Sequence, residues 1–441
     1  MLPIIQEIFF RVNSVYNAAL RNTALLVIMA DRNNKGSYPG MRTVVVIGGG
    51  ASGLVAALTA AEEKENTVLL LERQGRVGRK LLATGNGRCN LTNMGATSKN
   101  YHGRNPAFAL PALCAFPPDQ ALSWFRSLGL VTVEQYGGRV FPLSDSAGSV
   151  LDVLRFALDS AGVDVHTGEP AKQLERRNGK LTVVTDVAAY RADAVIVACG
   201  GKAGGKLGGV SDGYDLLSSL GHQCTPLCPA LVPIRTDTDY PRSLKGVRAE
   251  AVVRLVRRDR ICGESRGELQ FTEKGVSGPA AFDVSREASV GGGELLLDFL
   301  PGLTEEEGVA LLCRRRELSS ELENGSVFAG VLHSRLGMAI VRASGVRPSG
   351  VIGELTDREI SALVRTARSF RLNVTGTDSF DNAQITAGGI CTDDFDPDTL
   401  ESRLVPGVFA CGEVLDVDAD CGGYNLQWAW ASGRKAGRLG R

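Results

Sequence analysis

Residues Thr43 to Glu72 read TVVVIGGGASGLVAALTAAEEKENTVLLLE, a buried strand, a glycine turn, a helix and a second buried strand. No other stretch limits the fold as tightly. Val44 to Ile47 is a β-branched run suited to a parallel strand covered on both faces. Gly48, Gly50 and Gly53 then give G-x-G-x-x-G. In such a turn the first glycine bends the chain, the second admits a pyrophosphate to the backbone, and the third lets helix and strand pack closely. The spacing predicts a helix over 51–63, opened by Ala51 and Ser52, whose free N–H groups and positive dipole end face the phosphates. Val68 to Leu71 is the next strand. Glu72 stands at its end, where a carboxylate accepts ribose hydroxyls, and Arg73 follows as a second cofactor candidate.

The 441-residue chain has room for two or three domains. Lysine plus arginine and aspartate plus glutamate both number 49, so overall charge gives no pull toward nucleic acid or membrane. Ten cysteines are scattered without the spacing of a disulfide framework, which points to a reducing cytoplasm. His222, Cys224 and Cys228 form H-x-C-x3-C, too few ligands for a closed zinc site, so no metal is expected. The first forty residues look unlike the rest. Their apolar run, Ala24 to Met29, is too short to span a bilayer. Met41 stands directly before the first core strand, so the expectation is that translation starts there and 1–40 is a start-site artefact or dispensable tail.

A second cradle comes from distant segments. Leu181 to Val184 and Ala194 to Ala198 read as strands, the latter followed by Cys199-Gly200-Gly201, a turn small enough for close approach of a pyrophosphate. By itself it fits any αβ turn. Val408 to Cys411 reads as another strand, followed by Gly412, Glu413 and Asp416, the last placed to bond a ribityl hydroxyl. Gly423, Tyr424, Asn425 and Leu426 then open the C-terminal helix, where N–H groups can meet an electron-rich ring edge. Reduced flavin carries negative charge at such an edge, so this second cradle favours FAD over a nicotinamide as the tightly held cofactor.

With these residues in view, the chain resembles the bacterial HI0933-like flavoproteins, which include the BaiN-type reductases. The likeness is carried by GRKLLATGNGRCNLTN (78–93), GGRVFP (137–142), PALVPI (229–234), FTEKGVSGPA (271–280), ITAGGI (385–390) and PGVFACGEVLDVDADCGGYNLQ (406–427). The sequence departs from the family pattern at Cys199 and Cys421, where threonine is usual, and over 204–211. The resemblance implies an α/β fold: a discontinuous Rossmann-like FAD-binding domain from 41–227 and 380–441. It also implies an inserted mainly-β, barrel-like domain from 228–300 and 346–379, and a small helical insert at 301–345. Val252 to Val256, Glu268 to Phe271, Glu294 to Phe299, Gly353 to Leu355 and Phe370 to Val374 read as strands, and Thr304 to Leu322 as helix.

Arg79 and Lys80 follow the ribose-binding strand closely enough to meet phosphate or flavin, or they are simply solvated bases. Thr84 to Asn90 is a Gly/Asn-rich loop which, with the family pattern, puts Asn86 at the cofactor and Arg88 and Asn90 at the substrate. By the same analogy Phe271, Thr272 and Ser277 line the active-site roof. Reduction of a conjugated C=C needs a proton donor beside the hydride. Cys89 is the first candidate and Tyr424 the second, with a purely structural cysteine as the competing reading. No second G-x-G-x-x-G exists in strand–helix context, so NAD(P)H is expected to dock transiently as reductant.

The resemblance implies two substrate classes, a small steroid-like enone or the uracil ring of ribosomal RNA. The RNA option needs a basic face, for which Arg254 to Arg260, Arg314 to Arg316 and Arg365 to Arg371 are candidates, though such runs usually are solvated surface. An O₂-using amine oxidase and a non-catalytic flavin-binding protein are the competing functions. No membrane association and no stable protein partner are expected.

Overall fold

The computed structural model describes residues 41–177 and 179–441. The expectation for 1–40 lies outside the described residues. Five parallel strands form the central sheet: β1 (Arg42–Ile47), β2 (Asn66–Glu72), β3 (Asp164–Thr167), β4 (Ala194–Val197) and β5 (Val408–Ala410). Their spatial order is β5-β4-β1-β2-β3, the 3-2-1-4-5 order of a doubly wound sheet. Sequence order reverses between β1 and β4, and at that switch point the carboxyl ends of a doubly wound sheet bind their ligand. Val44, Val45 and Val46 are fully buried, as a strand covered on both faces requires. Helix α1 (Ala51–Ala60) is shorter than the 51–63 span expected, because Glu62 and Glu63 already lie in the exposed turn back to β2. Leu181 to Val184 lies in a strand (Lys180–Thr185) that joins not the central sheet but a separate antiparallel sheet of three strands, inserted between β3 and β4.

The inserted segment closes a six-stranded barrel from Ile234–Thr236, Gly275–Ser277, Arg260–Phe271, Arg248–Arg257, Gly293–Asp298 and Phe370–Thr377. Its first and last strands pair directly, Ile234 with Thr377. Helix α2 (Pro279–Val290) packs along it and against the strand Cys228–Ala230. Helices Glu305–Leu318, Ser334–Ala343 and Asp357–Arg368 cap its far side. Thr304/Glu307 and Thr356/Glu359 form reciprocal capping boxes that fix the starts of the first and third.

Gly353 to Leu355, expected as a strand, is instead part of a short 3-10 turn, Ile352–Glu354. Gly353 is pressed against Ser320, and the Thr356 cap begins a helix straight after it, leaving no length to pair. Helix therefore occupies much of 346–379, where a second block of β structure was expected.

Two large cores result, one around the central sheet and one inside the barrel. A small apolar cluster, Ala230, Leu231, Ile385 and Ala387, sits with Phe282 and Cys421 at their seam. The two-stranded ladder that carries it pairs Cys228–Ala230 with Ile385–Ala387, so the chain enters and leaves the barrel side by side.

Candidate functional site: a cleft at the switch point

The three glycines of the first turn do three separate jobs. Gly48 has φ +108°, and a Cβ there would lie 2.4 Å from the Ala198 carbonyl oxygen after β4. A Cβ on Gly53 would lie 1.8 Å from the Gly48 oxygen, so helix and turn meet backbone to backbone. Gly50 has no atom within 4 Å of that position. It opens onto a cleft with about 1640 Å³ of free space, its mouth included.

Around this cleft the fold gathers Gly48, Gly50, Ala51 and Ser52 from the first turn, with Glu72, Arg73, Arg79 and Lys80 beyond β2. Gly200 follows β4, and Gly423, Asn425 and Leu426 come from the start of α3 (Tyr424–Gly437). Glu413 and Asn90 also reach the wall. Gly423 has φ +101° and lies against the Thr92 carbonyl, letting the α3 N-terminus approach the loop that holds Asn90. The Asn90 Oδ1 is buried without a hydrogen-bond partner among the described residues.

Several of these side chains are already engaged. Glu72 is buried, with Oε2 accepting the Gly49 N–H at 2.8 Å and Oε1 the Gln74 N–H at 2.7 Å. Burial raises its carboxyl above the ordinary range, and these two N–H groups oppose the shift. Arg73 pairs with Asp212 at 2.9 Å, and Arg79 donates to Gln74 at 2.7 Å. Lys80 reaches across the cleft to Glu413 at 2.7 Å, and the other Glu413 oxygen accepts the Thr386 N–H at 2.8 Å. Lys80 and Glu413, expected to meet the cofactor separately, therefore form one bridge between the two halves of the domain. Asn425 spends its amide on Ala419, in both directions, and on the Asp420 carbonyl.

Other expected site residues lie elsewhere. The Cys89 side chain is fully buried in the main core, and burial pushes its thiol up to about 12, so it presents no donor to the cleft. Asn86 is exposed in a left-handed turn away from the lining. Arg88 is turned outward, bound by Asp145 at 2.5 Å and Gln135 at 3.0 Å and stacked over Phe141. Gly412 is a packing glycine: a Cβ there would lie 2.4 Å from Ser52 Oγ. Asp416 accepts the Arg104 N–H at 3.0 Å and lines a second cavity, whereas Val417 lines the cleft. The chain turns tightly here, the Val417 N–H bonding back to the Leu415 carbonyl at 2.7 Å, and this bend puts Asp416 at the second cavity and Val417 at the cleft.

Phe271 is buried inside the barrel, and Thr272 and Ser277 are half-buried outside the cleft lining. Barrel helix α2 instead touches the cleft loop through Asp283, whose Oδ1 accepts the Cys421 N–H at 2.8 Å. Tyr424 stands just behind that loop, its ring lying against Gly422. His222 stacks on Phe395, while Cys224 and Cys228 face the second cavity.

Loop 207–210 and segment 169–171 complete the cleft, and neither was anticipated from the sequence. Gly208 and Gly209 offered a signal for the first. Nothing distinguished Glu169, Pro170 or Ala171.

A doubly wound sheet with a glycine turn at its switch point, carrying an inserted barrel, defines a protein of the Rossmann type. More narrowly, the HI0933-like protein Rossmann domain model matches residues 42–439, and the chain belongs to that family. It is 38% identical over 382 residues to the 3-dehydro-bile acid delta(4,6)-reductase of Clostridium scindens, covering 84% of this chain and 92% of that protein. The ribosomal RNA dihydrouridine synthase of Escherichia coli is 28% identical over 366 residues, covering 83% and 90%. Among solved structures, a 3-ketosteroid delta1-dehydrogenase from Sterolibacterium denitrificans aligns over 91% of this chain and 99% of its own at 12% identity and TM-score 0.45. A flavocytochrome c3 fumarate reductase aligns over 91% and 78% at 16% identity and TM-score 0.43.

Proposed function

We propose that the cleft holds FAD and that the chain is a reductase which saturates a C=C bond conjugated to a carbonyl in a small molecule, drawing on NAD(P)H. The observation that carries this reading is the cradle built from two distant pieces: the Gly48–Gly53 turn with Glu72, and the Cys421–Leu426 loop at the start of α3. A nicotinamide cofactor bound alone needs only the first. The open space at Gly50 and Gly200, where a Cβ would meet nothing within 4 Å, fits a pyrophosphate passing between β1 and β4. The unpartnered Asn90 oxygen and the free α3 N-terminus fit the polar edge of a ring.

FAD when bound supplies hydride chemistry that no side chain possesses. The protein's own contribution is positional and electrostatic. The α1 N-terminus would hold the phosphates, and the α3 N-terminus would favour negative charge at the ring edge. Leu231 and Ile385 bring apolar surface from the seam and exclude water. With Cys89 sealed away, Tyr424 is the remaining candidate for the α-carbon proton, and its ring stands behind the Gly422 loop, outside the cleft lining, so the loop must shift for it to act.

Charge supports a small molecule over RNA. Within the candidate basic runs, Arg254 pairs with Glu264 at 2.5 Å, Arg316 with Asp357 at 2.8 Å and Arg371 with Glu294 at 3.0 Å. Arg257 and Arg315 are spent on backbone carbonyls. Only Arg258, Arg260 and Arg314 have no such partner among the described residues. The higher identity to the bile-acid reductase than to the RNA enzyme points the same way. An amine oxidase reading finds no aromatic cage in the cleft lining.

The test is anaerobic. Purified protein should carry a yellow cofactor that NADH or NADPH bleaches and that a 4-en-3-one steroid restores, while ribosomal RNA mapped from a deletion strain keeps its dihydrouridine. Colourless protein that stays so after incubation with FAD overturns the reading.

A further inference from the structure

We propose that Asp283, a residue of the inserted barrel, lowers the reduction potential of the cofactor from behind the cleft wall; the inference rests on the flavin reading above. The wall in question is the loop that leads into α3. Its Cys421, Gly422 and Gly423 line the cleft. Between the strand Asp418–Ala419 and α3, residues 420–423 belong to no helix or strand, so individual hydrogen bonds fix them. The Asp420 N–H donates to the Asn100 carbonyl at 3.0 Å, and the Gly422 carbonyl accepts the Asn93 amide at 3.2 Å.

The residue between those two is held by the barrel. The Cys421 N–H donates to Asp283 Oδ1 at 2.8 Å, and Asp283 Oδ2 accepts the Ser265 hydroxyl at 2.8 Å. Ser265 lies on the barrel strand Arg260–Phe271, so direct hydrogen bonds run unbroken from barrel to cleft wall. One turn further along α2, Arg286 pairs with the buried Asp418 at 3.1 Å. One face of α2 therefore grips the segment 418–421 at both ends.

The charge of Asp283 is what needs a reason. Asparagine would accept the Cys421 N–H with its oxygen and donate to Ser265 Oγ with its amide, making both contacts without a charge in this half-buried seam. Burial raises the Asp283 carboxyl above its ordinary range; the Cys421 N–H and the Ser265 hydroxyl oppose the rise, Asp420 adds to it and Arg139 opposes it. Both direct contacts donate to the carboxylate, which favours its ionised form.

That negative charge stands one residue behind the surface that would meet the ring edge. The α3 N-terminus favours negative charge there, and the Asp283 carboxylate opposes it. Cys421 packs with Ala230, Leu231, Ile385, Ala387 and Phe282, so apolar atoms flank the loop and screen less than water does. Arg286 is matched by Asp418, which leaves Arg139 as a partial offset. The potential then lies below the value that the helix end alone would give, and hydride is released more readily to an acceptor. Asp283 is outside the cleft lining and is a positioning residue: it acts through the Cys421 loop.

Asp283→Asn and Asp283→Ala in the full FAD-loaded chain test this, with the potential measured anaerobically against a reference dye. Asp283→Asn keeps both hydrogen bonds, so its melting temperature and FAD affinity should match wild type. Its potential should rise by about 30 mV, a tenfold shift toward the reduced form. Asp283→Ala also frees the Cys421 N–H, and its FAD affinity should fall by about tenfold. A wild-type potential in Asp283→Asn overturns the inference and leaves the flavin reading standing, whatever the alanine variant does. Wild-type protein that takes up no FAD overturns the flavin reading, and the inference with it.

Discussion

The Glu72 carboxylate accepts the Gly49 backbone N–H at 2.8 Å, tying the end of β2 to the turn that ends β1. Its other oxygen accepts the Gln74 N–H, so one buried side chain fixes the turn on two sides while leaving lone pairs for a ribose. Glu72→Gln keeps one acceptor and turns the other into a donor facing an N–H. The expected result is flavin affinity weaker by about tenfold to a hundredfold, the cost of one broken charged hydrogen bond. Flavin fluorescence titration measures it, and unchanged affinity would remove Glu72 from the site.

Gly50 and Gly53 sit in one motif yet should fail differently. Gly53→Ala drives a methyl to 1.8 Å from the Gly48 oxygen, so helix and turn must separate and thermal stability should drop sharply. Gly50→Ala meets no protein atom and should leave the melting temperature of the cofactor-free protein nearly unchanged. It should still bind FAD poorly, because the methyl occupies the path of the pyrophosphate. Equal loss of stability in both variants would contradict this division.

Cys89→Ala should retain flavin binding and turnover, because the thiol is enclosed in the core and makes no contact with the cleft. The variant should lose about 1 kcal/mol of stability for the missing sulfur. Chemical denaturation and steady-state rates separate the two effects.

The first strand, its glycine turn and Glu72 were legible because local spacing and tertiary role coincide there. The C-terminal cradle was legible for a similar reason: Gly423 and the helix start are neighbours in sequence. Residues whose role depends on facing were not. Asp416 and Val417 differ by one position, and only the tight turn of the backbone at Asp416 decides which sees the cleft. Arg88 was read as a substrate contact, but Asp145 lies 57 residues away and only folding shows that it holds that arginine outward. The Lys80–Glu413 bridge spans 333 residues, beyond any local pattern.

RNA affinity should be weak. The barrel arginines face glutamates on neighbouring strands, Arg254 with Glu264, Arg266 with Glu250 and Arg248 with Glu268. Counterion release on binding requires cations that are not already neutralised. A filter-binding series from low to physiological salt should show weak binding and a shallow slope. A steep loss of affinity, of several decades, would restore the RNA substrate.

Stability should depend on pH through His102. Its hydrogen bond to Asp420 raises the imidazole above its ordinary 6.5, so the folded protein holds this proton more tightly than the unfolded chain does. Unfolding then releases protons, and stability falls with rising pH across that interval. The contribution is complete below the unfolded value of about 6.5 and is lost as pH climbs through the higher folded one. His102→Gln removes this dependence, so its melting temperatures should approach wild type at alkaline pH and lie below it near pH ~6. Parallel melting curves taken across that range decide the matter: a constant gap between the two proteins would mean that the His102–Asp420 pair carries no proton linkage.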